Sequence, residues 1–499
     1  MRDWLTCRPL VVLVVLVVLV CAGLLPGCAL QVATPTLVTT ATLQRWHEIK
    51  AANGPTFSGS PAWRAHVEWV EQSLREQGVL ALDRDRFTYP RWWTADDRAS
   101  GDWQLTVDGT AVPVASYWAY SGSTPDAGIT APLVLFDEKA AADIAPGSIV
   151  AFDIPKLGES PPAMFARARH EFATSDLQGV DRRLATDHWY QVNYATRFGG
   201  LADKLRKAKA AGGLVLFDMG FGRADGTYTF PLLKPGEVGV PGLYLDREAS
   251  ARVRAAAGRS ATLRLKARRE ATETWFLSGV LPGRDYGTPA DEFVLLITHT
   301  DGPNLTQENG GIAIAALVQE LARVPRSDRR RSVLVLLDSQ HYMPGRHQVD
   351  WFARHPELAR RIVASVGVEQ LGQREYAEQG EKFVQTGQPE TTVIFSQDDP
   401  QLIGMARAAI AAVGLPRTEL RVPAHKGQGR WIGLGDIAVE RGWPAFGMNT
   451  AMSAYWSTRP GIESFDAALA VKQLEVLRQL TEGLMSMDLA AATLRDQAP

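Results

Sequence analysis

Beyond residue 28 the chain has no cysteine; its three are Cys7, Cys21 and Cys28. That absence excludes a disulfide framework, a thiolate zinc cluster and a cysteine nucleophile from everything downstream. A metal bound there must be held by imidazole and carboxylate groups. An excess of charge of either sign is also missing. Lys and Arg number 53 against 55 Asp and Glu, for a net charge of -2. Nucleic acid is therefore not expected as a partner, because phosphate neutralisation needs a basic face. The run Arg329, Arg330, Arg331 is short, precedes an apolar strand pattern and reads as a solvated flank. There is no internal repeat, no Walker-type loop, no dinucleotide fingerprint at a strand–helix turn and no nucleophile elbow. The chain is instead ordinary globular material, 45% hydrophobic, and its 499 residues are too many for one ordinary core.

The N-terminus departs from that composition. Arg2 and Arg8 flank a short leading region before "PLVVLVVLVVLVCAGLLPGC". This reads as a secretory signal, and the run is also long enough, at about 20 apolar residues, for an uncleaved membrane anchor. "LPGC", Leu25 to Cys28, resembles a bacterial lipoprotein box, with Pro26 departing from the small residue usual there. The resemblance implies lipidation at Cys28 and attachment to the membrane of the bacterial cell envelope. Residues 29–40, small and polar with Pro, read as a tether after a signal segment at 1–28. "NLT" at Asn304 matches a glycosylation acceptor, which in an exported bacterial chain is a chance match.

Residues 41–100 hold a clear helix signal in "SGSPAWRAHVEWVEQSLREQG". Ser60 is the expected N-cap, Pro61 the first helical residue, and Trp63, Val67, Val70 and Leu74 recur at helical spacing before Gly78. Residues 101–270 change texture to short β-type runs such as "APLVLFD", "GSIVAFDI" and "GLVLFDM", with one helix, "LADKLRKAKAAGG". From 271 to 499, strand and helix patterns alternate: "EFVLLITH", "IAIAALVQELAR", "RSVLVLLDS", "IVASVGVEQLG", "WPAFGMN" and a long closing helix. The alternation predicts an α/β fold, a central mixed sheet with helices on both faces, carrying an inserted β-rich domain. Ligands of such sheets sit at the carboxyl ends of strands, where His299, Ser339, Gln340, Glu369 and Asn449 fall.

"GPTFSGSPAWRAHVEWVEQSLREQG", "FLSGVLPG", "LLITHTDGPN", "GGIAIAALVQELARV", "VLVLLDSQHYMPG" and "ERGWPAFGMN" resemble, in order, the core segments of the zinc-dependent aminopeptidases of metallopeptidase family 28. "KAKAAGGLVLFD" and "VGVPGLYLD" resemble a protease-associated domain. The resemblance implies a zinc-exopeptidase-like sheet and, in active relatives, two zinc ions. One ion polarises the scissile carbonyl and helps generate hydroxide, and a carboxylate takes the water's proton.

On the family's pattern His299 matches the first metal ligand and Asp301 the aspartate that would orient its ring. The bridging aspartate falls on Gln307 without a gap and on Glu308 with one. The paired glutamates, base and ligand, are Ser339 and Gln340 here, followed by His341, which can ligate or take a proton. Glu369 matches the next acidic ligand with one extra methylene; its alternative is a pair with Arg374. The late histidine is replaced around Tyr455 and Trp456, and His425 does not have its spacing.

A two-zinc site is therefore not expected. The metal ligands named by the resemblance are His299, Glu308 and Glu369, with Gln340 beside them and His341 the candidate catalytic group, for one zinc ion or none. Two functions follow. One is a surface pseudoenzyme that binds a peptide or protein in the old cleft, with Trp92, Trp93 and Trp118 as candidate aromatic contacts. The other is an atypical single-metal metallopeptidase or amidohydrolase of the cell envelope.

Overall fold

A computed structural model describes residues 38–136, 144–154, 168–177, 200–228, 239–343, 348–423, 433–451, 453–454 and 457–488. Cys28, His425, Tyr455 and Trp456 lie outside the described residues. The described residues fall in one compact unit.

A nine-stranded mixed sheet dominates. Its strands run in the order Leu80–Trp93, Arg268–Leu281, Ser332–Asp338, Phe293–His299, Ile362–Val368, Ala445–Thr450, Thr392–Ser396, Thr418–Pro423 and Ala168–Ala173. The four strands from Ser332–Asp338 to Ala445–Thr450 are mutually parallel. All are buried along their whole length, which is why they read as unbroken apolar runs rather than as alternating patterns. A parallel pair needs a crossover, supplied between Phe293–His299 and Ser332–Asp338 by the helix Gly310–Ala322. The long helix Ala467–Ser486 packs on that helix and on Pro400–Val413.

The helix expected from "SGSPAW" spans Pro61–Glu76. Ser60 Oγ accepts from Trp63 N at 3.0 Å, and Trp63, Val67, Val70 and Leu74 are all buried. A preceding helix, Thr40–Ala51, was not legible as one; Thr39 caps it through Thr42 N.

A second, eight-stranded sheet is built wholly from residues 103–265. Trp118 is fully buried in it, pressed on Gly213 and Gly242, where any Cβ would overlap the indole. Trp92 is buried too, whereas Trp93 is flanked by Arg91 and Arg268. Core packing, not ligand contact, accounts for Trp92 and Trp118. Tyr342 and Met343, which follow a strand of the main sheet, are buried in the hydrophobic core of this second sheet.

Candidate metal centre

His299 is the last residue of a central strand and is fully buried. Its Nδ1 lies 2.7 Å from the backbone carbonyl of Asp301. A carbonyl can only accept, so Nδ1 carries the proton and Nε2 presents its lone pair. That Nε2 faces Glu369 Oε2 at 3.5 Å and has no hydrogen-bond partner. The contact is electrostatic rather than a hydrogen bond. Burial works against a charged His299 ring, but the Glu369 carboxylate outweighs it and the ring's pKa ends above its ordinary value. Two acceptors facing one another in a dry site call for a cation between them, a proton or a metal.

Glu369 follows the adjacent strand, Ile362–Val368, and is 2% exposed. Its Oε1 accepts from Leu434 N at 2.7 Å, which turns Oε2 to His299. Gly433, at φ +93°, makes room for it; a Cβ there would collide with the carboxylate. Arg374 is engaged with Asp466, not with Glu369.

His341 supplies the third donor. Its ring stacks on His299 at 4.2 Å between centroids and 18° between planes. Ligand atoms of His299, His341 and Glu369 all lie within 4.8 Å of one another. Tetrahedral zinc ligands at bond lengths of about 2.0–2.2 Å sit ~3.4 Å apart, so the three donors would draw closer around an ion. Two imidazoles and a carboxylate are a zinc donor set that leaves a fourth position open. With the orphaned His299 Nε2, this donor set fits a metal ion.

Asp301 does not touch the His299 ring through its carboxylate. Its Oδ1 accepts from His341 N at 3.0 Å and its Oδ2 from Tyr342 N at 2.7 Å, with Ser58 Oγ 2.9 Å away. The expected orienting contact to His299 comes from the Asp301 main chain instead, and the carboxylate positions the loop that carries His341. Burial pushes the Asp301 carboxyl up to about 6, against the pull of His299 and with the help of Asp338.

Glu308 is not brought to His299 and Glu369. It is fully buried and pairs with Lys50 Nζ at 3.0 Å, while Asn304 N and Thr56 N donate to it at 2.9 and 3.3 Å. The carboxylate is satisfied by a protein cation and two amides, so the structure gives it a partner other than a metal. Burial lowers the Lys50 pKa despite Glu308 beside it. Around this pair lie His47, His66 and Asn309. Asn309 exchanges hydrogen bonds with the Leu371 main chain, which fixes its amide, and Nδ2 then donates to His47 Nε2 at 3.1 Å. Lys50, His47 and His66 were not singled out from sequence. The latent signal was the spacing of His47 and Lys50, one helical turn apart, with His66 on the following helix.

Gln340 donates from its backbone N to Asp338 Oδ1 at 2.7 Å, and its buried Oε1 has no partner. Ser339 is fully buried beside it.

No family model and no curated protein matches the chain. Solved structures do. A peptidase M28 precursor from Shewanella amazonensis superposes with a TM-score of 0.60 at 14% identity, covering 90% of this chain and 98% of that one. A zinc aminopeptidase from Bacillus subtilis gives 0.59 at 12% identity over 90% and 96%. An aminopeptidase from Aneurinibacillus sp. strain AM-1 gives 0.55 at 12% over 89% and 93%. The chain has a zinc-exopeptidase-like fold. At these identities the likeness is one of fold, and function has to be argued from the site.

Proposed function

We propose that this chain is a cell-envelope ligand-binding protein on a zinc-exopeptidase-like fold, keeping one metal ion on His299, His341 and Glu369. In this reading the protein is exported, held to the membrane at Cys28, and carries a protease-associated-like insert within 101–270. The observation that carries it is the three-donor cluster combined with the state of the neighbouring carboxylates. Glu308 is tied to Lys50, both oxygens of Asp301 are taken by loop amides, and the paired-glutamate position is Ser339 and Gln340. Among the described residues the carboxylates of Glu308 and Asp301 are thus engaged, and Asp338, opposite His299 in the strand register, takes the Gln340 amide on Oδ1. A bound zinc ion would act as a Lewis acid that polarises a ligand carbonyl. The protein's own groups would hold a peptide-like ligand, with His299 locked by the Asp301 carbonyl and His341 set by the Asp301 carboxylate.

A second reading, slow amide hydrolysis, is favoured by one feature: three protein donors leave an open position of the kind catalytic zinc sites use. One experiment separates the two. Metal content after mild dialysis is compared between the wild type and His299→Ala, followed by turnover of an aminoacyl-amide and peptide panel. One ion per chain without turnover above the His299→Ala background supports the binding protein. Robust turnover lost in His299→Ala selects the hydrolase, and no retained metal refutes both.

A further inference from the structure

Gln307 is 1% exposed and its Nε2 has no hydrogen-bond partner. The orientation of its amide is fixed by a relay. Thr450 N, which can only donate, lies 3.0 Å from Gln370 Oε1. That sets the Gln370 amide, whose Nε2 donates to Gln307 Oε1 at 3.1 Å. The Gln307 Nε2 group is thus turned away from the relay with its N–H bonds unused. Gln370 holds this place from a left-handed backbone, φ 59°, which is uncommon outside glycine and is typical of strained functional positions.

The location of Gln307 gives this group a purpose. Its side chain lies against Gly302, where a Cβ would come within 3.3 Å of Gln307 Cγ, and Gly302 belongs to the turn that leaves His299. Its relay partner, Gln370, directly follows Glu369. Gln307 therefore touches both the turn that follows His299 and the residue that follows Glu369. A buried N–H left unmade costs about 1–3 kcal/mol and is rare in native proteins without a reason.

We propose that Gln307 Nε2 is a ligand-binding donor that takes the carbonyl oxygen of an amide ligand, with Gln370 as the residue that positions it. This deepens the proposed function and rests on it, since it assumes that a peptide-like ligand enters the His299–His341–Glu369 site.

The probe is N-methylacetamide, which carries one carbonyl and one N–H and does not chelate zinc, titrated into the zinc-loaded full chain. Gln307→Met should keep the wild-type zinc content and bind the probe about ten-fold more weakly or worse. His299→Ala should lose the zinc itself. Unchanged probe affinity in Gln307→Met, or zinc loss equal to that of His299→Ala, overturns the proposal. A crystal structure of the wild type decides it independently of metal. A water or probe oxygen within about 3.2 Å of Gln307 Nε2 is expected. Finding Nε2 bonded to a protein carbonyl, or the Gln370 amide reversed, overturns it. A wild type without zinc refutes the metal reading alone and leaves the crystallographic criterion in force.

Discussion

Removing the Lys50 ammonium tests the assignment of Glu308 most directly. Lys50 and Glu308 side chains are 2% and 0% exposed. Lys50→Met keeps most of the apolar stem and leaves the carboxylate without a counter-charge. Breaking one partner of a buried pair costs about 3–5 kcal/mol. The amides of Asn304 and Thr56 still donate to the carboxylate, so the lower end, about 3 kcal/mol, is expected. Adding Glu308→Gln removes the charge that made the first change costly, and its side-chain oxygen can still accept from Asn304 N. The double variant should therefore lie within about 1 kcal/mol of wild type, since replacing a whole buried pair is often close to neutral. The assay is a double-mutant cycle from urea unfolding midpoints at constant slope. A coupling energy of about 2 kcal/mol or more is expected. Additive costs in the two single variants would refute the pair as the reason Glu308 is buried. Zinc content gives a second check, because Glu308→Gln should retain it; its loss would restore Glu308 as a ligand.

Three further outcomes are expected. Alanine at His299 or His341, or Glu369→Gln, should each lower zinc affinity at least about ten-fold in a competitive chelator titration, since each removes one of the three proposed donors. Acid should destabilise the protein through His47, whose pKa burial pulls down from 6.5 to about 3. The unfolded chain binds the proton first, so this contribution to stability is complete above pH 6.5 and is lost as pH falls towards 3. At pH 4.5 the loss is about 2.7 kcal/mol, at 1.36 kcal/mol per pH unit, and His47→Gln should flatten that slope in urea titrations. Gly433→Ala, strained at φ +93° and colliding with the Glu369 carboxylate, should weaken zinc binding more than it shifts the melting temperature.

The parts legible in the sequence are those that depend on local pattern. Apolar runs ending in a polar residue marked the parallel strands, so the strand-end positions of His299 and Glu369 could be read directly. Partners brought from a distance could not. Glu308 had no readable counter-charge because Lys50 belongs to a helix whose buried residues, Leu43, His47 and Lys50, are mostly polar and make no apolar stripe. Ala168–Ala173, "ARHEFA", was likewise unreadable as a strand; it sits at a sheet edge, where charged residues are favoured. His341 could be named as a ligand or proton acceptor but not placed against His299, because nothing nearby in sequence reports that Asp301, 40 residues earlier, accepts its backbone N–H.

The three donors differ in what holds them. The strand ending at His299 pairs with Ser332–Asp338 on one side and Ile362–Val368 on the other. Neighbouring strands run about 4.8 Å apart, so register alone carries His299 and Glu369 to adjacent strand ends. His341 stands beyond the end of its strand, where register no longer fixes it. Asp301 takes the amides of His341 and Tyr342, and Tyr342 and Met343 are buried in the core of the second sheet. The Ser58 turn that reaches Asp301 is anchored the same way: Phe57 stacks on Tyr228 at 4.2 Å and Tyr89 donates to the Ser58 carbonyl. The main sheet thus supplies two donors and the second sheet buttresses the third. Loosening that buttress, for example by Tyr342→Ala, should release His341 while the His299–Glu369 contact persists.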